Sequence, residues 1–338
     1  MPPAGPIRLA TRGSPLARWQ ADRVAGLLGA LGDAASCEIV VIQTTGDRMA
    51  DVPVAQFGGQ GVFVSEIQTA VLEGRADIAV HSAKDLPSQT PAGLVLACVP
   101  ERADPRDALV GARLDDLAPG ARVATGSVRR RAQLAWLRPD LTFVELRGNM
   151  ATRLERAARE GAGVVAVAAL ERLGLSRRIA EVLDTGRLLP QVAQGALAVE
   201  CRADDAELLG TLGRIDDAVA HRAVTAERAF LAALGGGCTF PVGALARPSG
   251  FAGVVSGTLA PGEVAAGERA AADLAADDLA PGELILEGML ASRDGRILLR
   301  RCCRGDDPVE LGRRTAADLL DHGGRVLDDW APVGEPDR

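Results

Sequence analysis

Short apolar runs alternate with segments of helical periodicity through most of the chain. Ile7 to Ala10 reads as a strand, and Thr11-Arg12-Gly13-Ser14-Pro15 then reads as a helix start. Ser14 suits the N-cap and Pro15 the first helical position. Leu16, Val24, Leu27 and Leu31 recur at helical spacing, so this helix is expected to reach about Leu31. Glu38 to Thr44 is a second strand. Gly58-Gly59-Gln60-Gly61 forms a loop that opens a helix from Val62 to Glu73. The run Ile78 to Val80 has the character of a buried strand, turns polar within four residues and stops at Pro87; Leu94 to Val99 follows as another strand. This βαβα order predicts a mostly parallel sheet covered by helices.

Residues Glu101 to Asp107 are charged and read as a crossover into a second α/β unit. Its expected strands are Arg122–Ala124, Thr142–Leu146 and Val164–Ala168, alternating with helices at Val128–Leu137 and from about Ala151. Leu189 to Glu200 reads as a second crossover, back to the first unit. Asp217 caps a helix that runs through Leu234 and is stopped by Gly235-Gly236-Gly237, where the first glycine suits a C-cap. The remainder reads as a smaller α+β unit, with strands at Val254–Leu259, Leu284–Ala291 and Arg296–Cys302 and a helix at Val309–Leu320. The Ala/Asp/Glu-rich stretch from Pro261 to Pro281 is expected to be an exposed loop. The predicted architecture is therefore two α/β domains, 1–100 with 195–216 and 101–194, followed by a smaller α+β domain, 217–338.

Composition narrows the function. The chain has 338 residues, 47% hydrophobic and 25% charged, as in ordinary soluble globular proteins. A net charge of −7 argues against a general nucleic-acid or membrane-surface binder. No segment has the length and apolarity of a membrane span, and Met1 to Pro6 lacks a signal-peptide pattern, so the expected compartment is the cytoplasm. The six cysteines lack metal-ligand spacing, and free thiols are expected with no metal site. Five lie in or beside strand-like segments. Cys238 instead follows three glycines, where bare backbone leaves room for a large group attached to sulfur. An inert exposed thiol is the plainer reading; a nucleophile of the cysteine-protease kind would need a histidine, and of His81, His221 and His322 only His81 offers that pairing, which nothing else in the sequence supports.

Polar chemistry gathers at strand ends. His81, Ser82, Lys84 and Asp85 close the third strand, and Lys84 is the only lysine in a chain otherwise committed to arginine. Strand ends of an open α/β sheet face the ligand crevice. Arg129, Arg130, Arg131, Arg147, Arg153 and Arg172 fall at helix starts or just after strands. Arginine forks bind carboxylates in bidentate fashion, so their convergence in an acidic chain implies a polyanionic small ligand.

Several ordered blocks together resemble the porphobilinogen deaminase (hydroxymethylbilane synthase) family. They are Ala10-Thr11-Arg12-Gly13-Ser14-Pro15-Leu16-Ala17, Arg75 to Pro87, Arg102 to Ala108, Val128-Arg129-Arg130, Leu146-Arg147-Gly148-Asn149, Gln194-Gly195-Ala196, Thr225 to Ala229 and Gly236-Gly237-Cys238. The resemblance covers most of residues 7 to 245. It implies two periplasmic-binding-protein-like α/β domains and a C-terminal domain carrying the cysteine. It further implies a dipyrromethane cofactor held through a thioether to Cys238, and stepwise condensation of four porphobilinogen molecules with loss of ammonia. Release of hydroxymethylbilane by hydrolysis would follow. By the same resemblance Asp85 stabilises the cationic azafulvene left by deamination. Arg12, Ser14, Ser82, Lys84, Thr125, Ser127, Arg129, Arg130, Arg147, Gly148, Arg153 and Arg172 are expected to bind the carboxylates of cofactor and substrate. The expected partners are porphobilinogen and the growing linear oligopyrrole, bound by a monomer. The chain departs from the family pattern in having Gln56 and Gln60 where lysines are common, Gly126 between Thr125 and Ser127 where serine is usual, and Gly235 where glutamate is common. Two other classes fit an α/β pair. A solute-binding module would require export. A ligand-sensing regulator would require a helix-turn-helix, for which residues 1 to 7 leave no room.

Overall fold

The computed structural model describes residues 5–32, 36–44, 64–235, 240–248 and 282–327. The glycine loop at 58–61, Gln56, Cys238, the expected strand at 254–259 and the stretch 261–281 lie outside these residues. The described chain forms two compact units: residues 1–104 with 168–175 and 194–221, and residues 105–167 with 176–193 and 222–338.

In the first unit, β1 (Ile7–Thr11), β2 (Cys37–Val41), β3 (Ile78–Ser82), β4 (Leu94–Cys98) and β10 (Leu197–Arg202) form one sheet in the order β2-β1-β3-β10-β4. β1 pairs in parallel with both β2 and β3. β10 is antiparallel to both of its neighbours. Helix α1 (Pro15–Gly29) starts where the sequence indicates: Ser14 Oγ accepts from Ala17 N at 3.2 Å, and Pro15 occupies the first turn. The stripe that α1 buries differs from expectation. It runs Gln20, Ala21, Val24, Leu28, with Leu16, Leu27 and Leu31 only partly covered. Gln20 belongs to it because its amide meets a polar atom of β3 (below). One face of the sheet packs Leu9, Ile78, Val80 and Val199 against Val24 and Leu28 of α1 and against Leu208 and Leu212 of an additional helix, Ala206–Gly213. The other face packs Ala10, Ala79 and Leu94 against Ile67 and Val71 of α2 (Ser65–Leu72).

The second unit repeats this order. β5 (Asp107–Val110), β6 (Arg122–Ala124), β7 (Thr142–Val144), β8 (Ala162–Ala166) and β9 (Ile179–Leu183) run β7-β6-β8-β5-β9. β6 is parallel to β7 and β8, and β5 is antiparallel to β8 and β9. Helices α3 (Val128–Leu137), α4 (Met150–Glu160) and α5 (Val167–Arg172) connect the strands. α5 begins with Val167 in this unit and continues into the first. With the Ala206–Gly213 helix numbered α6, α7 spans Ala218–Ala233 and α8 spans Pro308–Asp321.

Each sheet is mixed because β5 and β10, both within or beside segments expected to be plain crossovers, insert antiparallel. A third sheet, β11 (Val242–Pro248), β12 (Leu284–Ala291) and β13 (Leu298–Gly305), is antiparallel throughout and packs on α8. Glycine is required in this packing. A Cβ on Gly288 would lie 2.6 Å from the Phe230 ring, and one on Gly312 would meet Ala226 O. Ala132, Leu189, Leu245, Met289 and Leu298 form a shared core that joins this sheet to α3, so it belongs to the second compact unit.

Candidate active site

In the first unit the site is built on the ends of β1 and β3. β3 is buried up to its last residue and breaks into a single 3₁₀ turn, Ala83–Asp85. Ser82 Oγ accepts from Gln20 Nε2 at 2.7 Å, which fixes the strand end against α1. Lys84 Nζ donates to Gln194 Oε1 at 3.2 Å. Asp85 is exposed, and its carboxylate has no hydrogen-bond or ion-pair partner among the described residues. Arg12 and Ser14 follow directly on β1, the parallel neighbour of β3, and so share this edge of the sheet.

Arg172, the last residue of α5, reaches the same edge. Its Nη2 donates to Gly195 O at 2.6 Å, and Gly195 precedes β10, whose first residue Leu197 pairs with Ser82. Gly195 has φ +87°, and a Cβ there would press on Ala103 O, so this turn needs glycine. The Arg172 guanidinium also lies 5.5 Å from the Trp19 ring centroid, and its buried Nε has no partner among the described residues. Burial pulls its pKa down to about 10, opposed by Glu171. It remains a cation at neutral pH.

In the second unit, Thr125 and Ser127 follow β6, and Arg147 and Gly148 follow its parallel neighbour β7. Ser127 caps α3, accepting from Arg130 N at 3.4 Å, and Ser127 N donates to Thr125 Oγ1 at 3.3 Å. Gly126 leaves no space for a side chain, because a Cβ would stand 2.7 Å from Leu146 O. Arg147 pairs with Glu145 at 2.8 Å, and Arg153 Nε donates to Gly148 O at 2.9 Å, where Gly148 adopts φ +96°.

Arg129 and Arg130 depart from the picture of open cleft-lining side chains. They are only 3% and 8% exposed and converge on Asp107, itself fully buried. Arg129 Nη2 donates to Asp107 Oδ2 at 2.7 Å and its Nη1 to Leu189 O. Arg130 Nε and Nη2 both donate to Asp107 Oδ1, at 3.0 and 2.6 Å, and its Nη1 to Val164 O at 3.0 Å. Burial alone would raise the Asp107 carboxyl, but the two guanidinium charges and their hydrogen bonds outweigh it and hold the group well below the usual carboxylate range. Sequence reading missed Asp107 by assigning it to the crossover. The one signal was an acid heading the apolar run Ala108-Leu109-Val110. It also missed Gln20 and Gln194, polar residues that are buried because each is hydrogen-bonded to a site side chain.

Residues 7–210 match the family model described as "Porphobilinogen deaminase, dipyromethane cofactor binding domain", and residues 221–253 match "Porphobilinogen deaminase, C-terminal domain". The porphobilinogen deaminase of Roseiflexus sp. (strain RS-1) is 46% identical over 94% of this chain and 97% of its own. That of Acidothermus cellulolyticus is 46% identical over 98% and 93%, and that of Bacillus subtilis (strain 168) is 40% identical over 96% and 95%. Among solved structures, the methionine-binding protein MetQ superposes on 64% of this chain and 89% of its own, at 14% identity and a TM-score of 0.39, too distant to add to what the sheets themselves establish. Two nearly full-length relatives at 46% identity and a family model spanning most of the chain lead to one conclusion: the chain belongs to the porphobilinogen deaminase family.

Proposed function

We propose that the protein is a hydroxymethylbilane synthase, a transferase of tetrapyrrole biosynthesis. It joins four porphobilinogen molecules head to tail, each with loss of ammonia, on a covalent dipyrromethane, and hydrolysis then frees hydroxymethylbilane. The observation that carries the residue assignment is Asp85, an exposed carboxylate in the turn that ends β3, with no hydrogen-bond or ion-pair partner among the described residues. Departure of ammonia from the aminomethyl arm leaves positive charge spread over the substrate pyrrole. A carboxylate accepting the pyrrole N–H stabilises that charge more in the transition state than in the ground state. The aminomethyl arm arrives as an ammonium, so the C–N bond breaks with ammonia already carrying its third proton, and the negative charge of Asp85 stays opposite the developing cation. Lys84, held by Gln194, supplies a fixed ammonium for a substrate carboxylate, with Arg12, Ser14, Ser82 and Arg172 on the same sheet edge.

The donor set fits the cofactor. A dipyrromethane carries four carboxylates, and the second unit offers Thr125, Ser127, Arg129, Arg130, Arg147, the Gly148 backbone and Arg153 at its own strand ends. A buried Arg129 Nε with no partner among the described residues lies with them. When bound through sulfur, the group supplies the nucleophilic pyrrole carbon that primes the chain. Cys238 is the proposed attachment point.

We assign three domains, 1–100 with 195–216, 101–194 and 217–338, because each of these spans owns one of the three sheets. The protein acts as a cytoplasmic monomer, a reading supported by the free thiols of the five described cysteines and a net charge of −7. No described helix is long and apolar enough to cross a membrane. The deciding experiment is the intact mass of purified protein with a porphobilinogen consumption assay. Wild type is expected to carry the added mass of two pyrrole units and to consume porphobilinogen, and Cys238→Ala to carry none. Colour with Ehrlich's reagent in acid-treated Cys238→Ala would move the attachment to another residue.

A further inference from the structure

The cluster around Asp107 is charge-unbalanced. One carboxylate faces two guanidinium groups, and all three side chains are at least nine-tenths buried. A network serving the fold alone would be expected to close its charge, since an uncompensated buried cation is costly. Among the described residues this one retains an excess positive charge and a buried Arg129 Nε with no acceptor. Of the five donors on each guanidinium, Arg129 uses two and Arg130 three within the protein. The cluster also lies at the right end of the sheet. Asp107 opens β5 and pairs with Ala166 at the end of β8, and β8 runs parallel to β6, whose end carries Thr125 and Ser127. Ser127 caps the helix that bears both arginines, so the positive end of its dipole adds to the same charge.

We infer that Asp107 is a positioning residue for the carboxylate-binding set. Its two oxygens fix both guanidinium forks of α3 and cancel one of their charges, leaving a singly positive receptor, with Arg129 Nε unused, for one carboxylate of the covalent pyrrole group. This rests on the function proposed above. Asp107 itself touches no substrate. It sets the angle and net charge of the groups that do, and with it the step in which the cofactor is captured.

The test uses the full-length Asp107→Asn protein, which keeps the side-chain shape and loses the charge. Loading is read as the rise in intact mass when protein stripped of its pyrroles is incubated with porphobilinogen. Folding is read by circular dichroism and a thermal melt. A folded Asp107→Asn that loads at least about tenfold more slowly than wild type supports the inference. A folded variant that loads at the wild-type rate overturns it, since a purely structural acid would lower the melt and leave the loading of folded protein unchanged. Should Asp107→Asn not be recovered folded, Asp107→Glu carries the test, because it keeps the charge and displaces the forks by one methylene. Slowed loading with a near-wild-type melt supports the inference, and unchanged loading overturns it. Wild type runs alongside: if it neither gains pyrrole mass nor consumes porphobilinogen, the functional reading fails and this inference with it. Wild-type loading together with unchanged variants sinks the inference alone.

Discussion

Asp85 and Lys84 occupy one turn and are held differently. The ammonium rests on a buried amide, whereas the carboxylate has no partner among the described residues. A group meant for a transient cation gains from having no competing partner in the ground state. Asp85→Asn keeps the shape, removes the charge and breaks no hydrogen bond or ion pair of the side chain among the described residues. Turnover is expected to fall by about 10²–10⁴-fold, with the thermal melt unchanged and the covalent pyrroles still attached. Near-normal turnover in that variant would remove Asp85 from the mechanism. Cysteine chemistry divides in the same local way. Burial pushes the Cys98 and Cys302 thiols up to about 12 and Cys201 up to about 11, so they remain protonated at neutral pH. Native protein is expected to leave these three unalkylated by iodoacetamide at pH 7.5, and rapid labelling of them in a peptide map would contradict that burial.

At the scale of elements, the start of α1 has two duties that substitution can separate. Ser14 Oγ caps the helix and also stands on the edge assigned to carboxylate binding. Ser14→Ala removes the cap and should cost about 1 kcal/mol of stability. Ser14→Asp keeps a capping oxygen and adds negative charge, so its melt should stay close to wild type while the KM for porphobilinogen rises. Equal KM values for wild type and Ser14→Asp would take Ser14 out of the binding set. The contact of β12 with α7 is set by absence of a side chain. Gly288→Ala places a methyl against the Phe230 ring and should destabilise by about 1–3 kcal/mol without affecting the chemistry.

Across the whole molecule, the two units use one strand order, and each admits its antiparallel strand at the fourth position. That strand carries a buried acid in both cases. Asp107 heads β5, and Glu200 in β10 accepts from Gln68 Nε2 at 3.1 and 2.9 Å. For Asp107 the consequence is a pH dependence with a definite sign. Its folded-state pKa lies below the unfolded value of about 3.9, so the charged form favours folding. That contribution is fully present above the unfolded pKa and is lost as pH falls toward the folded one. Urea unfolding should therefore give a contribution from Asp107 that is level from pH 7 to about 5 and declines below about pH 4. The Asp107→Asn protein should lack this part of the decline. An identical pH profile in the two proteins would contradict the sign.

Local features could be read directly from the order of residues. α3 at Val128–Leu137 and β12 at Leu284–Ala291 were legible to the residue, because a cap or a long apolar run is contiguous in the chain. The Ser14 cap, the strand-end placement of Ser82, Lys84 and Asp85, and the family resemblance were legible for the same reason. The rest depended on contacts between distant parts of the chain. β5, β9, β10 and β11 each contain a charged residue, Asp107, Glu181, Glu200 and Arg247, that breaks or bounds the apolar run, so they become strands through partners far along the chain. β10 pairs residues near 200 with residues near 80 and 95. The same distance hid the acid beneath the arginines. Asp107 and Arg129 are separated by 22 positions, and nothing in that spacing says that one carboxylate will orient two guanidinium groups. Charge at a strand end can be read from composition and order, but which charges face the ligand and which face one another is settled by burial, and burial belongs to the folded chain.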